Sequence, residues 1–511
     1  MLARLSNRWI AAGLLAVIAG GFGPGARGQA SDVAKPTPAV VGSANCAGCH
    51  QTPERYAGES LICRMVEYPI WKEKDRHQIA YQVLLGDRSR EMGKRLGIDV
   101  TDARNSCVRC HGVVPPSGVR PFQFEAKADG VTCIACHGGA EEWIAEHQFP
   151  NSPRWRNLTR ADKQRLKGMR DLWDPRTRVE TCFSCHIGNA DENKVLTHAM
   201  YAAGHPPLPS IEVASFSEEQ PRHWQYLREK PEAIQKHLGF NPNRLEQTEL
   251  VAVSGLAALS ATIRQLVDPP NSAGNESVES SGPDFARYDC AACHHELKVW
   301  DRSWRQAREE GHAPGRPAPP AWPRALVRLG LEAADPARAE GWFRGLSTRM
   351  EAFDAAMTAR PFGDLDRARP IAEAVLKLLD EPLRALDDQT RVKPGQPGRV
   401  IDRAEALRLL RRIAPIADEL VHDYESARQM AWAFRTIYHE VEPDASKRDP
   451  RIVAGLAALD RKLGLSLNAG KSAERRPILE MLGDRLKAMS NYEPAEFRKA
   501  IEGLTRALPS D

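Results

Sequence analysis

The sequence has no excess of charge of one sign. Its 511 residues include 71 Lys and Arg against 67 Asp and Glu, which gives a formal net charge of +4. A chain that binds nucleic acid or an anionic membrane through its overall charge needs a larger basic surplus. Composition therefore gives no support to a nucleic-acid partner, and none is predicted.

Two structural patterns are also missing. No segment shows the sustained alternation of apolar and polar residues that is typical of half-buried strands. After residue 30, no segment is expected to be long and apolar enough to span a bilayer. The first absence predicts a mainly α fold, and the second predicts that no segment after residue 30 spans a membrane.

The first thirty residues have the three parts of a secretory signal peptide. Arg4 and Arg8 form a basic segment, an apolar stretch follows, and Gly28-Gln29-Ala30 supplies a small-x-small cleavage site. An uncleaved anchor is the alternative, but it needs about twenty apolar residues, and Pro24 and several glycines interrupt this run. Residues 1–30 are therefore predicted to be a signal peptide that directs the chain to the periplasm or out of the cell.

Eleven cysteines in an exported chain would ordinarily suggest disulfides, but their spacing indicates another chemistry. Ten of them form Cys-x-x-Cys pairs, and His directly follows each pair. The five motifs are Cys46-Cys49-His50, Cys107-Cys110-His111, Cys133-Cys136-His137, Cys182-Cys185-His186 and Cys290-Cys293-His294. In c-type haem attachment two thiols add across the haem vinyl groups, and the adjacent His ligates the iron. The sequence therefore predicts five covalently attached haem c groups.

Other uses of Cys-x-x-Cys fit this pattern poorly. Zinc ribbons need paired knuckles and have no invariant His after the second Cys. Thioredoxin-like pairs occur once per domain beside a βαβ pattern, which this sequence lacks. Cys63 is the cysteine left over, and a buried structural thiol is favoured over a functional one.

A second axial His is expected at each haem, because an iron that relays electrons is usually six-coordinate. Ten His lie outside the motifs. Those close to haem motifs are predicted as distal ligands: His77, His147, His198, His205 and His295. His223 is the substitute, and the remaining four, His237, His312, His422 and His439, are not expected to ligate iron.

Residues 44–190 resemble the tetrahaem cytochrome c-554 family, the electron acceptors of hydroxylamine oxidoreductase in ammonia oxidation. The similarity begins with the first motif, Trp71 and His77-x2-Ala80. It continues through 106–111, through 130–138 with His147 downstream, and through 180–186.

The resemblance implies a mostly helical, loop-rich stack of closely paired haems. It also implies His147 as partner of the first haem and His77 as partner of the third, with an open iron at His111. This sequence departs from the family in its fifth motif and in its long cysteine-free C-terminal half. It also has no Cys-x-x-Cys-Lys, so the similarity does not extend to the catalytic haem of pentahaem nitrite reductases.

The chain beyond the signal peptide is predicted to have two domains. Residues 31–323 are assigned to a loop-rich pentahaem cytochrome c domain, and 324–511 to a helical-bundle-like C-terminal domain without haem. Within the first, 249–267 has the apolar spacing of a buried helix. In the second, Phe497, Ile501, Leu504 and Leu508 form one apolar stripe of a helical core, with docking of a redox partner as the alternative.

The predicted function is electron transfer through five haems, between redox partner proteins that the sequence does not identify. The alternative is a redox enzyme that acts on a small nitrogen or sulfur compound at one five-coordinate haem. Whether the chain is an enzyme is left open, as is assembly into a homo-oligomer.

Overall fold

The structure is a computed structural model that describes residues 40–53, 62–115, 122–140, 143–148, 153–267, 284–290, 293–294, 317–359, 362–390, 400–466 and 478–509. The predicted signal peptide, His295 and His312 lie outside the described residues. So do the segment 268–283 and the first part of the Pro-rich segment 311–323.

Short helices joined by turns make up the first half of the described chain. They are α1 (Ser43–His50), α2 (Glu67–Lys74), α3 (Ala80–Leu84), α4 (Asp87–Leu96), α5 (Ser106–His111), α6 (Ala126–Asp129), α7 (Cys133–His137), α8 (Ile144–His147), α9 (Pro153–Arg156), α10 (Arg160–Lys167), α11 (Pro175–His186), α12 (His198–Ala203), α13 (Val213–Glu219) and α14 (Glu232–Leu238). Gly97 and Gly168 end α4 and α10 in the left-handed conformation that glycine adopts without steric cost. Helices this short are only marginally stable in isolation, so their stability must come from tertiary contacts.

Longer helices make up the second half. They are α15 (Glu246–Val267), α16 (Val327–Ala334), α17 (Ala339–Met357), α18 (Leu365–Thr390), α19 (Arg403–Leu420), α20 (Tyr424–Val441), α21 (Pro450–Leu463), α22 (Ile478–Ser490) and α23 (Pro494–Arg506). Asp402 and Asp423 cap α19 and α20 by accepting hydrogen bonds from backbone N–H groups of the first turn. The described residues have isolated bridges but no extended strand, so the predicted mainly α fold is confirmed.

The helix α15 lies at the centre of the hydrophobic core. Each of the six apolar residues that predicted it is at most 2% exposed: Leu250, Val253, Leu256, Leu259, Ile263 and Leu266. The expectation that no later segment is long and apolar enough to span a bilayer was wrong, because α15 meets that criterion by length and composition. Its most apolar stretch is 78% buried inside the protein. A helix that is apolar on all sides is typical of the core of a folded domain, where other helices cover its whole surface.

Buried charged groups fix the point at which α15 begins. Glu440 of α20 accepts hydrogen bonds from the backbone N–H groups of Gln247 (2.9 Å) and Thr248 (2.7 Å). This carboxylate thus satisfies two N–H groups that the first turn leaves without a helical partner. Next to it, Arg244 lies 2.6 Å from Glu249, whose pKa burial raises to about 7. The buried charged groups at the first turn of this apolar helix are therefore paired or hydrogen-bonded rather than isolated.

One hydrophobic core extends across residue 323, where the sequence predicts a domain boundary. Val179 and Phe183 of α11, which carries the fourth motif, belong to the same buried cluster as the helices that follow residue 324. Arg176 of α11 also lies 2.9 Å from Asp387 of α18. The domain boundary at 323/324 stays a prediction. The helix that carries the fourth motif, which precedes this boundary, packs against helices that follow it.

The C-terminal apolar stripe lies in the core as predicted. Phe497, Ile501 and Leu504 on α23 are at most 3% exposed. On α22, where Ile478, Leu482, Leu486 and Met489 have the same helical spacing, Leu486 is 53% exposed, so that stripe is not wholly buried.

The close crossing of α15 and α16 gives a stability prediction. A Cβ added at Gly255 would lie 2.7 Å from the carbonyl oxygen of Leu326 and 2.8 Å from its Cβ. We expect Gly255→Ala to lower the free energy of unfolding by about 1–3 kcal/mol, because overpacking displaces backbone. Chemical denaturation measures it. Gly341→Ala on α17, where a Cβ meets nothing within 4 Å, is the control and should be neutral or slightly stabilising; equal losses in both variants would contradict the close crossing.

Candidate functional site

Each of the first four Cys-x-x-Cys-His motifs lies at the end of a helix. The helices α1, α5, α7 and α11 all end at the motif His. At the fifth motif, the N–H of His294 donates a 2.7 Å hydrogen bond to the carbonyl of Cys290, as in a helical turn. Residues at i, i+3 and i+4 share one helix face. The two thiols and the imidazole of a motif therefore point to the same side.

Each motif His faces the ring of a second His from a distant part of the chain. The ring centres are 6.0–6.4 Å apart in all five cases. The pairs are His50 with His147, His111 with His205, His137 with His223, His186 with His77, and His294 with His198.

The separation of these rings matches ligation of one metal ion from opposite sides. With a metal–nitrogen bond of about 2 Å and about 1 Å from nitrogen to ring centre on each side, the ring centres are about 6 Å apart. An aromatic contact, stacked or edge-to-face as for His77 and His186 at 84°, also allows this separation, but it does not explain why such a pair recurs at every motif His. The recurring feature is the separation, and the interplanar angle varies.

Hydrogen bonds at Nδ1 orient several of these imidazoles. In each, Nδ1 has an oxygen partner, which leaves Nε2 as the nitrogen that could ligate a metal. The Nδ1–oxygen distances are 3.0 Å for His50 to Glu67, 2.9 Å for His77 to Asp75, 3.0 Å for His111 to the carbonyl of Ala80, and 2.8 Å for His205 to the carbonyl of Pro206. Ligating His residues characteristically donate their second N–H to such an oxygen, which fixes tautomer and ring orientation.

Burial keeps several of the paired imidazoles neutral at pH 7. Loss of hydration lowers the pKa of His137 to about 3 and the pKa values of His147 and His186 to about 4. The neutral imidazole is the form that ligates a metal.

A cavity of about 2540 Å³ is lined by two of the His pairs, His111 with His205 and His186 with His77, and by the cysteines of the second and fourth motifs. It exceeds the 300–1,000 Å³ or so that a drug-sized ligand occupies, so it has room for several macrocycles. Arg109, Arg428 and Arg485 are among its lining residues, and Nε of Arg109 is buried without a hydrogen-bond partner. Basic side chains of this kind suit the propionates of haem. The residues present therefore fit c-type haem in volume, ligands and charge.

The geometry departs from two implications of the family resemblance. His77, implied as partner of the third haem, faces His186 of the fourth motif, whereas His223 faces the third. At His111, where the resemblance implies an open iron, the ring of His205 lies opposite. A distal His can come from any segment that the fold brings close, and His205 and His223 lie beyond the family-like residues. The implied pairing of His147 with the first motif agrees with the geometry.

The other His predictions can be followed residue by residue. His77, His147, His198 and His205 all lie opposite a motif His. His295 lies outside the described residues, and His223, kept as the substitute, occupies the fifth place. His237, His422 and His439 are in none of the five pairs.

Cys63 lies close to the first His pair. Burial raises the pKa of its thiol to about 12, which favours the inert protonated form. Its sulfur, a Glu67 oxygen and a His50 nitrogen lie within 4.8 Å of one another. Because Nδ1 of His50 already contacts Glu67, this grouping is explained by the orientation of the His50 ring.

Neighbouring motifs adjoin through their cysteines. Cys46 of the first motif lies beside Cys133 of the third, and Cys110 of the second lies beside Cys185 of the fourth. Cys136 of the third motif lies near Cys182 of the fourth. The first four motifs therefore follow one another in space in the order first, third, fourth, second.

The helix α12 connects the second motif to the fifth. His198 begins this helix and faces His294. His205 follows the helix and faces His111. Tyr201 lies between His198 and His205 in the sequence, and its ring centre is 6.2 Å from that of His205. Tyr201 also lies near Cys290. The five motifs thus follow one another in space as one series.

Comparison with known families identifies part of this region. Residues 45–138, which contain the first three motifs, match the family described as cytochrome c554 and c-prime. The match supports a c-type cytochrome with covalently bound haem c and a role in electron transfer. Comparison with curated proteins and with solved structures finds no match.

Proposed function

We propose that the chain is a periplasmic or secreted c-type cytochrome that carries five covalently attached haems and relays electrons between redox partner proteins. The observation that carries the proposal is the presence of one His–His pair, with ring centres 6.0–6.4 Å apart, at every Cys-x-x-Cys-His motif. The signal-peptide pattern of residues 1–30 supports the location.

The residues that would hold the cofactors follow from the pairs. Both thiols of each motif would form thioether bonds to one haem, with the motif His as proximal ligand and the opposing His as distal ligand. A bound c-type haem supplies one-electron chemistry at its iron, between the ferric and ferrous states. The protein residues orient that group, exclude water from it and set its potential.

Two His ligands at each site favour a relay over an enzyme. An iron that acts on a small nitrogen or sulfur compound needs an open coordination position. His205 opposes His111, where the family resemblance implies such a position. The alternative, an enzyme with one five-coordinate haem, therefore has no support from the described geometry.

The spatial order of the motifs supports electron passage along the chain. The residues that would hold neighbouring haems adjoin in the order first, third, fourth, second, fifth. The fifth motif is exposed at Cys290, Cys293 and His294, whereas the other motif cysteines are at least partly buried. We infer that exchange with one redox partner occurs at the fifth motif.

Haem content tests the count of five. Mass spectrometry of the protein matured in a competent host should show five haem masses added to the chain. Cys290→Ser combined with Cys293→Ser should reduce the number to four, because both thioether bonds of one motif are removed. Cys63→Ser is the matched control and should retain five. Four or fewer haems in the unaltered protein would refute the count.

Ligand binding tests the closed second site. Reduced protein should bind little carbon monoxide, because every iron has two His ligands. His205→Ala should bind about one equivalent per chain and convert one haem from low-spin to high-spin. His237→Ala, which removes an exposed His outside the pairs, should change neither property. Stoichiometric binding by the unaltered protein would favour the enzyme alternative.

Assignment of single haems tests whether His77 serves the fourth haem and His223 the third. His77→Ala should change the spin state of one haem, and His223→Ala that of another. In a variant that lacks the fourth haem through Cys182→Ser and Cys185→Ser, His77→Ala should cause no further change, whereas His223→Ala should still act. Electron paramagnetic resonance distinguishes the two outcomes, and the reverse dependence would show that His77 serves the third haem.

A further inference from the structure

A buried carboxylate lies directly behind one ring of the fourth His pair. Oδ1 of Asp75 lies 2.9 Å from Nδ1 of His77 and also accepts a 3.0 Å hydrogen bond from the His77 backbone N–H. Oδ2 accepts a 3.0 Å hydrogen bond from Nε2 of Gln220. The Asp75 side chain is 4% exposed. The carboxylate is thus held in one position by three donors and has almost no access to water.

The oxygen partners of the other oriented rings differ in charge. At the second pair, both His111 and His205 have backbone carbonyls as their Nδ1 partners. At the first pair, the partner of His50 is Glu67, a carboxylate whose side chain is 18% exposed. Among the described residues, two of the paired rings therefore have a charged partner, and the carboxylate of Asp75, 4% exposed, is more buried than that of Glu67, 18% exposed.

A charged partner changes what the imidazole does to an iron. A carboxylate draws the Nδ1 proton towards itself, which makes Nε2 a stronger electron donor. A stronger donor and a nearby negative charge both stabilise ferric over ferrous iron and lower the reduction potential. The effect of the charge increases with burial, because water screens a buried group less.

We propose that Asp75 is a positioning residue that lowers the reduction potential of the haem held by His186 and His77 below that of the haem held by His111 and His205. Glu67 acts in the same direction at the first site, with a smaller effect because it is more exposed. This inference rests on the proposed haem ligation. It places low-potential haems at the first and fourth positions and a higher-potential haem at the second, so the series is uneven.

Spectroscopic redox titration of the complete five-haem protein tests the proposal. Asp75→Asn keeps the size of the side chain and an oxygen acceptor but removes the charge. We expect one of the five midpoint potentials to rise, with haem content and the low-spin signals unchanged. Glu67→Gln should raise the potential of a different haem by less. Asp366→Asn, at a side chain that is 98% exposed, is the control and should leave all five potentials unchanged.

The unaltered protein provides a second test that does not depend on folding of the Asp75 variant. The fourth haem is identified as the signal lost in His77→Ala, and the second as the signal lost in His205→Ala. In the unaltered protein, the reduction potential of the fourth haem should be lower than that of the second haem. Equal or reversed potentials, or five unchanged potentials in Asp75→Asn, would overturn this proposal and leave the five-haem relay intact. If His77→Ala instead left every low-spin signal unchanged, the proposed ligation itself would be wrong.

Discussion

Each imidazole pair fixes the separation of two chain segments that are far apart in sequence. His50 and His147 bring α1 to α8, and His137 and His223 bring α7 to the segment after α13. Helices of four to eight residues cannot specify such an arrangement by packing alone. The described N-terminal half has only small hydrophobic clusters of its own, such as the one around Trp143 and Trp155. Under the proposed ligation, bonds from imidazole to iron would have the structural role that a large apolar core has elsewhere in the chain.

The sequence predicted local features well. Helical spacing located α15 and the buried face of α23, because apolar residues at three- and four-residue steps have few alternative structures. The motifs predict ten attachment cysteines and five proximal His, because thioether attachment requires adjacent residues, and this assignment stays a prediction. Distal ligands carry no such local constraint. His77 lies close to the first motif in sequence but faces the fourth, and His223 was ranked below His295 because adjacency to a motif was the available guide. Only tertiary structure brings those rings together.

The carboxylates behind His50 and His77 were outside the reach of sequence reasoning for the same reason. Asp75 lies two residues before His77, where its role as the cap of a short 3₁₀ turn is equally consistent with the sequence. Its distance from Nδ1, its burial and the hydrogen bond from Gln220 distinguish the two roles. Gln220 follows α13, whose buried face packs in the large core with α15 and α20. The C-terminal helices thus reach the fourth site indirectly, although they contain none of the paired His.

This connection gives the cysteine-free half of the chain a physical relation to electron transfer. A rigid core holds α11 and α13, which carry His186 and precede Gln220 and His223. The second and fifth sites depend instead on α12 and on the exposed turn at Cys290. Sites attached to a packed core keep fixed ligand geometry and change little on reduction, whereas an exposed terminal site is accessible to another protein. The fold therefore combines a supported interior, where the series of motifs is held, with one accessible end.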